Sequence, residues 1–265
     1  MTATIEYVYC VVPATFVLSD APHGIDRAPV RSIVRGDIAA LVTAVDAELY
    51  SGDAPAERMG DPEWLTPRAV AHDAVITWAA DRDAVVPFSM WVMFSDEQSV
   101  STMLHDRHDE FREMLDRVGG ARELCVRISA DQTALANAAE RMDDRLGDLE
   151  RQADVASPGQ AYLLRRKLAE LRKSATRDVA SRIAGHAHTV LSDRSRESVA
   201  RDSVAHDRSV SNEPGVLLDA AYLVDNARYD SFRSALTELM ATYGPAGLSF
   251  EFTGPWPPYH FVRDR

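Results

Sequence analysis

The chain has 265 residues, 46% of them hydrophobic and 26% charged, which suits one large domain or two ordinary ones and excludes a disordered tail. With 41 acidic against 29 basic side chains the net charge is −12, so phosphate backbones and anionic lipid are repelled, and neither nucleic acid nor a membrane is expected as a partner. MTATIEYVYC has no basic start and places Glu6 where a leader would be apolar. The longest apolar run, Ala84 to Phe94, is about half the length that spans a bilayer, so a soluble, cytoplasmic protein is expected.

Ile5 to Val12 is β-branched and aromatic and ends at Pro13, which reads as a buried strand. After a loop rich in Pro, Gly and Asp, two apolar runs flank Arg35-Gly36-Asp37 and predict a hairpin. Asp46 to Pro62 reads as loop. Thr66-Pro67 carries a helix-start signature, threonine as N-cap and proline at the first helical position, and the helix runs to about Ala80. AVVPFSMWVMF supplies a further strand or two, broken at Pro87. Ser95 to Gln98 has the form of a capping box, and Val100, Leu104, Phe111, Leu115 and Val118 make an amphipathic helix behind it. Gly119-Gly120 stops that helix, and ARELCVRIS is the next strand.

Asp131 opens a helix with Leu135, Ala139, Met142, Leu146 and Leu149 inward. Ser157-Pro158-Gly159-Gln160 caps a long helix with Leu164, Leu168, Leu171, Ala175, Val179 and Ile183 along one stripe; ~30 residues would reach roughly 45 Å. Ser192 to Pro214 reads as loop or broken helix. GVLLDAAYLV is a strand, the following segment to Tyr243 a helix, and LSFEFTG alternates as a half-exposed strand. Gly254, Pro255, Pro257 and Pro258 are expected to end that ladder and to present Trp256 and Tyr259 from a stiff, extended segment, either as a lid over a core or as a docking surface. This order predicts an α+β protein of two domains, residues 1–119 and 120–265, the second with a long helical segment and a strand–helix–strand end.

Motifs that carry chemistry are scarce. The chain has no GxGxxG, P-loop, nucleophile elbow or HExxH. His105 and His108 stand at i, i+3 but among Asp106, Arg107 and Asp109, the setting of a solvated helix face. His186 and His188 diverge by about 200° on a helix, which disfavours a shared metal. Asp143-Asp144 lies on a polar helix face. Cys10 and Cys125 fall in apolar strands and read as reduced core residues. No catalytic residue, metal or cofactor is assigned, and the chain is expected not to be an enzyme. One charge feature departs from the whole. Leu164 to Arg182 holds seven basic residues against Glu170 and Asp178, and is either a solvated face or a docking surface for an acidic partner or another copy.

GPWPPYHF near the carboxyl terminus resembles the terminal signature of the gas vesicle protein F/L family (GvpF/GvpL). YVYCVV, GDIAALVTAV, AHDAVI, VVPF, GQAYLLRRK and LLDAAYLV agree with it in order along nearly the whole chain. The resemblance implies an accessory or minor structural protein of gas vesicles that binds the small, hydrophobic main shell protein and supports assembly, with a ferredoxin-like amino-terminal domain. The chain departs from the family's pattern after Pro87, where an Arg-Phe-Gly stretch is often found and Phe88, Ser89, Met90 and Trp91 stand here. Candidate partner-binding residues are Trp256 and Tyr259, with Arg165, Arg166, Lys167, Arg172 and Lys173 of the basic helix. The competing expectations are an enzyme or small-ligand-binding protein with a polar cleft near His72/Asp73 or His105/His108, and a self-associating scaffold.

Overall fold

The computed structural model describes residues 3–50, 58, 60–142, 144–200 and 215–262. It separates into two compact units, Met1–Glu123 with Pro255–Arg265, and Leu124–Gly254. The last segment, expected in the second domain, therefore groups with the first, and the central division follows Glu123 instead of Gly119. The physical reason is burial: Pro257, Pro258, Phe261 and Val262 are buried, and Tyr259 packs on the core of the first unit.

The first unit is built on β1 (Thr4–Pro13), β2 (Arg31–Arg35), β3 (Ile38–Asp46), β4 (Val86–Pro87) and β5 (Met93–Phe94), with the order β2-β3-β1-β4 and β5 also on β1. Each described pairing is antiparallel. The hairpin turns at Gly36, whose φ of 64° is left-handed backbone that glycine adopts without strain. The β1–β3 register slips between Val8 and Cys10. The slip changes the phase of β1, so Tyr7 and Tyr9 before it and Cys10 and Val12 after it join one core with Ala39, Leu41 and Val45. The helices are the short α1 (Ala47–Tyr50), then α2 (Pro62–Ala80), α3 (Glu97–Asp106) and α4 (His108–Val118). Val75, Ile76 and Ala79 of α2 complete that core. Because α3 and α4 lie against β2, β3, β1 and β4, β1 is buried almost throughout, which is why its sequence is nearly unbroken apolar.

Three local expectations are corrected. The N-cap of α2 is Asp61, whose carboxylate accepts from the Glu63 N–H, with Pro62 at the first position. The same cap-then-proline signature thus acts five residues before Thr66-Pro67, with Asp61 in place of threonine, and Pro67 lies inside the helix. The cap of α3 is Asp96, not Ser95. The predicted single helix to Val118 breaks at Arg107, with φ −108° and ψ 20°, into α3 and α4.

The second unit contains β6 (Ala121–Ala130), α5 (Gln132–Met142), α6 (Asp144–Val155), α7 (Pro158–Ser192), β7 (Glu197–Ala200), β8 (Val216–Asp225), α8 (Tyr229–Tyr243) and β9 (Leu248–Trp256). Its antiparallel sheet has the order β7-β8-β6-β9. Leu124, Val126 and Ile128 of β6, Ala220, Tyr222 and Val224 of β8 and Leu248 of β9 share one core with α8 and with Val179, Ile183, Ala187 and Leu191 of α7. Leu124, Val126 and Ile128 face this core from alternate positions of β6, whereas β8 is buried continuously from Ala220 to Val224. Asp131 caps α5 through the Ala134 N–H. Where Ser192–Pro214 was read as loop or broken helix, the structure has the strand β7; residues 201–214 lie outside the described residues, as do 51–57 and 59 of the first expected loop. β9 continues through Pro255 to Trp256. It can do so because β9 ends the sheet order, and an edge strand tolerates a residue without an N–H.

The resemblance implied a ferredoxin-like first domain. Counted along each unit, both sheets have the order fourth-first-third-second of the split βαβ plan. Between β1 and β2, however, the first unit has only a three-residue 3-10 turn, Ile25–Arg27, where that plan has a helix. The strand–helix–strand–strand–helix–strand alternation is complete in the second unit.

Candidate functional site

The carboxyl-terminal turn separates its two aromatic candidates. Glu123, 2% exposed, accepts the His260 backbone N–H at 2.9 Å through Oε2 and pairs with His260 Nδ1 at 2.6 Å through Oε1. Around this anchor the prolines pack inward and Tyr259 turns toward the core of the first unit, where burial pushes its phenol up. Trp256 remains 46% exposed. The segment is a closure at Tyr259 and a surface at Trp256.

The basic helix also divides. From Val179 onward α7 belongs to the sheet core; its amino-terminal half instead packs on α5 and α6 through Ala161 and Leu168. Arg172 faces that packing, with Nε 2.6 Å from Glu140 and Nη2 3.2 Å from Glu150, and so ties α5 and α6 to α7. Arg165 reaches Asp154 at 4.0 Å. Arg166, Lys167 and Lys173 are exposed, and no ion pair joins them to other described residues. Beside them stand side chains that sequence reasoning passed over: Tyr162 is 67% and Leu163 64% exposed, and Val155, at the same end of the hairpin on α6, is 87% exposed. The available signal was their phase, since Tyr162 and Leu163 fall opposite the buried stripe of Ala161, Leu168 and Val179.

The histidines are satisfied locally. His72 is buried, bonds the Tyr7 hydroxyl at 2.9 Å and is pushed down to about 4 by burial. His108 has Nδ1 3.1 Å from Asp109 and Nε2 2.7 Å from Asp37, and these two carboxylates raise it; its hydrogen bond in turn lowers Asp37. Residues 105–110 line a shallow depression of about 340 Å³, yet both ring nitrogens of His108 already face carboxylates. His186 and His188 bond different partners, the hydroxyls of Tyr243 and Tyr222. Cys10 and Cys125 are buried thiols, and burial pushes Cys10 up. The Asp143-Asp144 pair lies outside the described side chains.

A second depression, of about 420 Å³, lies between the β1–β2 loop and α2 and includes His23, Asp26, Arg27 and Arg68. Asp26 (φ 53°) and Arg27 (φ 60°) are both left-handed, a strained pair for non-glycine residues. Asp26 accepts from the Tyr50 hydroxyl at 2.6 Å and from Arg68, and the Arg68 guanidinium lies 4.4 Å from the Trp64 ring centroid. These bonds pin the loop. Trp91, within the departure after Pro87, also has left-handed backbone (φ 72°); its ring stacks on Trp64 at 5.3 Å and its N–H reaches the Tyr7 hydroxyl.

Among the described residues, then, Arg68, Arg107 and His108 of the depressions are held by carboxylates, while the α6–α7 hairpin and Trp256 offer apolar and cationic surface. That is a two-unit α+β protein with exposed apolar and cationic side chains on its second unit. A family model described as gas vesicle synthesis protein GvpL/GvpF matches residues 6–263, and the chain belongs to that family. It is 33% identical over 266 residues to gas vesicle protein L of Streptomyces sp. (strain CB03234), covering 98% of this chain and 94% of that one. To gas vesicle protein L1 of Halobacterium salinarum it is 24% identical over 268 residues, covering 98% and 90%. The crystal structure of GvpF from Anabaena sp. PCC7120 shares the fold, with a TM-score of 0.73 at 17% identity and 99% coverage of each chain.

Proposed function

We propose that this chain is a non-enzymatic accessory protein of gas vesicle assembly, acting in the cytoplasm and at the vesicle by holding the main hydrophobic shell protein in a soluble complex. The observation that carries the reading is the end of the α6–α7 hairpin, where Val155, Tyr162 and Leu163 are exposed beside Arg165, Arg166 and Lys167. Apolar surface rimmed by charge suits a client that would otherwise expose its own apolar surface and strand edges. Lys173 extends the cationic rim, and Trp256 supplies a second exposed aromatic contact. Arg172 and Tyr259 support these surfaces from the inside, by holding the hairpin and closing the carboxyl-terminal turn.

The test is co-purification of the tagged chain co-expressed with the main shell protein, washed in salt. Replacing Tyr162 and Leu163 with Ser in a chain that keeps its circular dichroism is expected to lower retained shell protein at least tenfold, about 1.4 kcal/mol of binding. Retention equal to the unmodified chain would overturn the hairpin as the docking surface. Trp256→Ala, assayed alongside, is expected to give a smaller loss, because one partly exposed ring is removed.

A further inference from the structure

Beyond capture of a shell subunit, we propose that this chain associates with a second copy of itself by docking the basic stripe of α7, part of which also rims the capture surface, on the acidic stripe of α4. The charge is unevenly distributed. The first unit holds 22 acidic against 12 basic side chains, whereas the second holds 19 against 17. Within the second, α7 alone has seven basic residues against two acidic ones.

The spacing converts these totals into faces. Arg166, Lys173 and Arg177 stand 7 and 4 residues apart on α7, so they project from one side over about 16 Å, and all three are exposed. Glu170 is the one acidic residue on that side, and the only bond described for the Arg177 guanidinium is to the Lys173 carbonyl of its own helix. On α4, Asp109, Glu113 and Asp116 stand 4 and 3 residues apart and are exposed along about 10 Å of one side. Arg112 already bonds Asp116 and Asp37, and His108 bonds Asp109, so the stripe keeps Glu113 as its uncompensated centre. The cations of α7 repel each other, as do the acids of α4. Pairing the two stripes between copies relieves both, and the contact is screened as salt rises.

Sedimentation of the purified chain, with no other protein present, tests this. The expected result is a concentration-dependent mass above the 29.3 kDa of one chain at about 50 mM salt, falling toward it at about 500 mM. The variant K173E/R177E, and separately D109K/E113K, should each sediment as single chains. Mixing the two reversed variants should restore association, because each supplies the stripe the other has lost, a recovery that misfolded variants would not give. A single-chain mass at low salt, reversed variants that associate like the unmodified chain, or a mixture that stays dissociated would each overturn the proposal. D109K/E113K leaves the whole α6–α7 hairpin surface in place, so its capture of shell protein separates failure of this contact from failure of the assembly reading.

Discussion

The two units solve the same sheet problem in different ways. Both use the order fourth-first-third-second, but the first joins β1 to β2 with a loop, and the second joins β6 to β7 with three helices. The loop substitutes for a helix by being fastened at points. The Ile25 N–H donates to Tyr9 Oη at 2.8 Å, Asp26 receives Tyr50 and Arg68, and Gly24 sits so close that a Cβ there would fall 2.3 Å from Tyr9 Oη and 2.6 Å from Thr43 Oγ1. In the second unit the connection has grown past what the sheet needs. The carboxyl-terminal half of α7 covers the sheet, and its other half, with α5 and α6, makes an arm with outward apolar residues. A sheet plan fixes where strands lie but leaves its crossovers free, and here the enlarged crossover carries exposed apolar and cationic side chains.

The comparison can be broken unit by unit, because Trp64, Trp78 and Trp91 lie in the first unit, and in a Trp256→Phe background tryptophan fluorescence reports on it alone. The largest effect is expected from Phe232→Ala, which empties a fully buried site between α8 and the second sheet. It should cost about 3–5 kcal/mol and lower the unfolding midpoint seen by circular dichroism. The fluorescence midpoint should stay in place if the units melt separately; a joint shift would show one cooperative unit.

Acid should act on the first unit instead. His72 is held near 4 by burial against an ordinary value of 6.5, so the unfolded chain binds its proton first. This contribution to stability is whole above about pH 6.5, declines as pH falls, and is lost by about pH 4, for up to about 3 kcal/mol. His72→Gln should flatten the fluorescence-detected stability between those limits; an unchanged slope would exclude His72 as its source.

What the sequence made legible follows from what is local. Apolar runs announced β6 and β8, the alternation of LSFEFTG announced β9, and the Arg35-Gly36-Asp37 turn announced the hairpin, because those signals lie within a few residues. β7 was hidden, since Glu197, Ser198, Val199 and Ala200 form an edge strand with little apolar content. The slip in β1 was hidden too: with α2 on one side and α3 and α4 on the other, an unbroken apolar run keeps no record of phase. At the candidate site a list of basic residues could not tell Arg172, turned toward Glu140 and Glu150, from Lys173, turned outward. Trp91 is legible only in the fold, where stacking on Trp64 holds a tryptophan in backbone that glycine adopts freely.

A smaller effect is expected where the carboxyl-terminal turn meets the first unit. Glu123→Gln keeps the shape of the side chain but removes the charge that holds the His260 backbone N–H and Nδ1, for about 1–3 kcal/mol. The segment carrying Trp256 should then be cut faster by protease at native conditions, with the dichroism midpoint of the second unit unmoved. Equal cleavage would show that the buried prolines and Phe261 hold the turn unaided.

The smallest effect should come from the ion pairs of the arm. Arg172 touches two carboxylates, which invites the reading that charge binds α5 and α6 to α7. Arg172 is more than one-third exposed, however, as are both its partners, and pairs of that kind contribute less than about 1 kcal/mol once solvent screening and side-chain entropy are counted. Ala161 and Leu168 lie buried along the same side of α7, as do Leu146 and Ala153 on α6. Arg172→Met keeps much of the stem's packing and removes only the charge, so the arm should keep its helical signal and its melting midpoint to within about 1 kcal/mol. A loss well above that would mean the arm is fastened by charge, and the two units would then differ in crossover length alone, since both would hold their connections by pinned polar contacts.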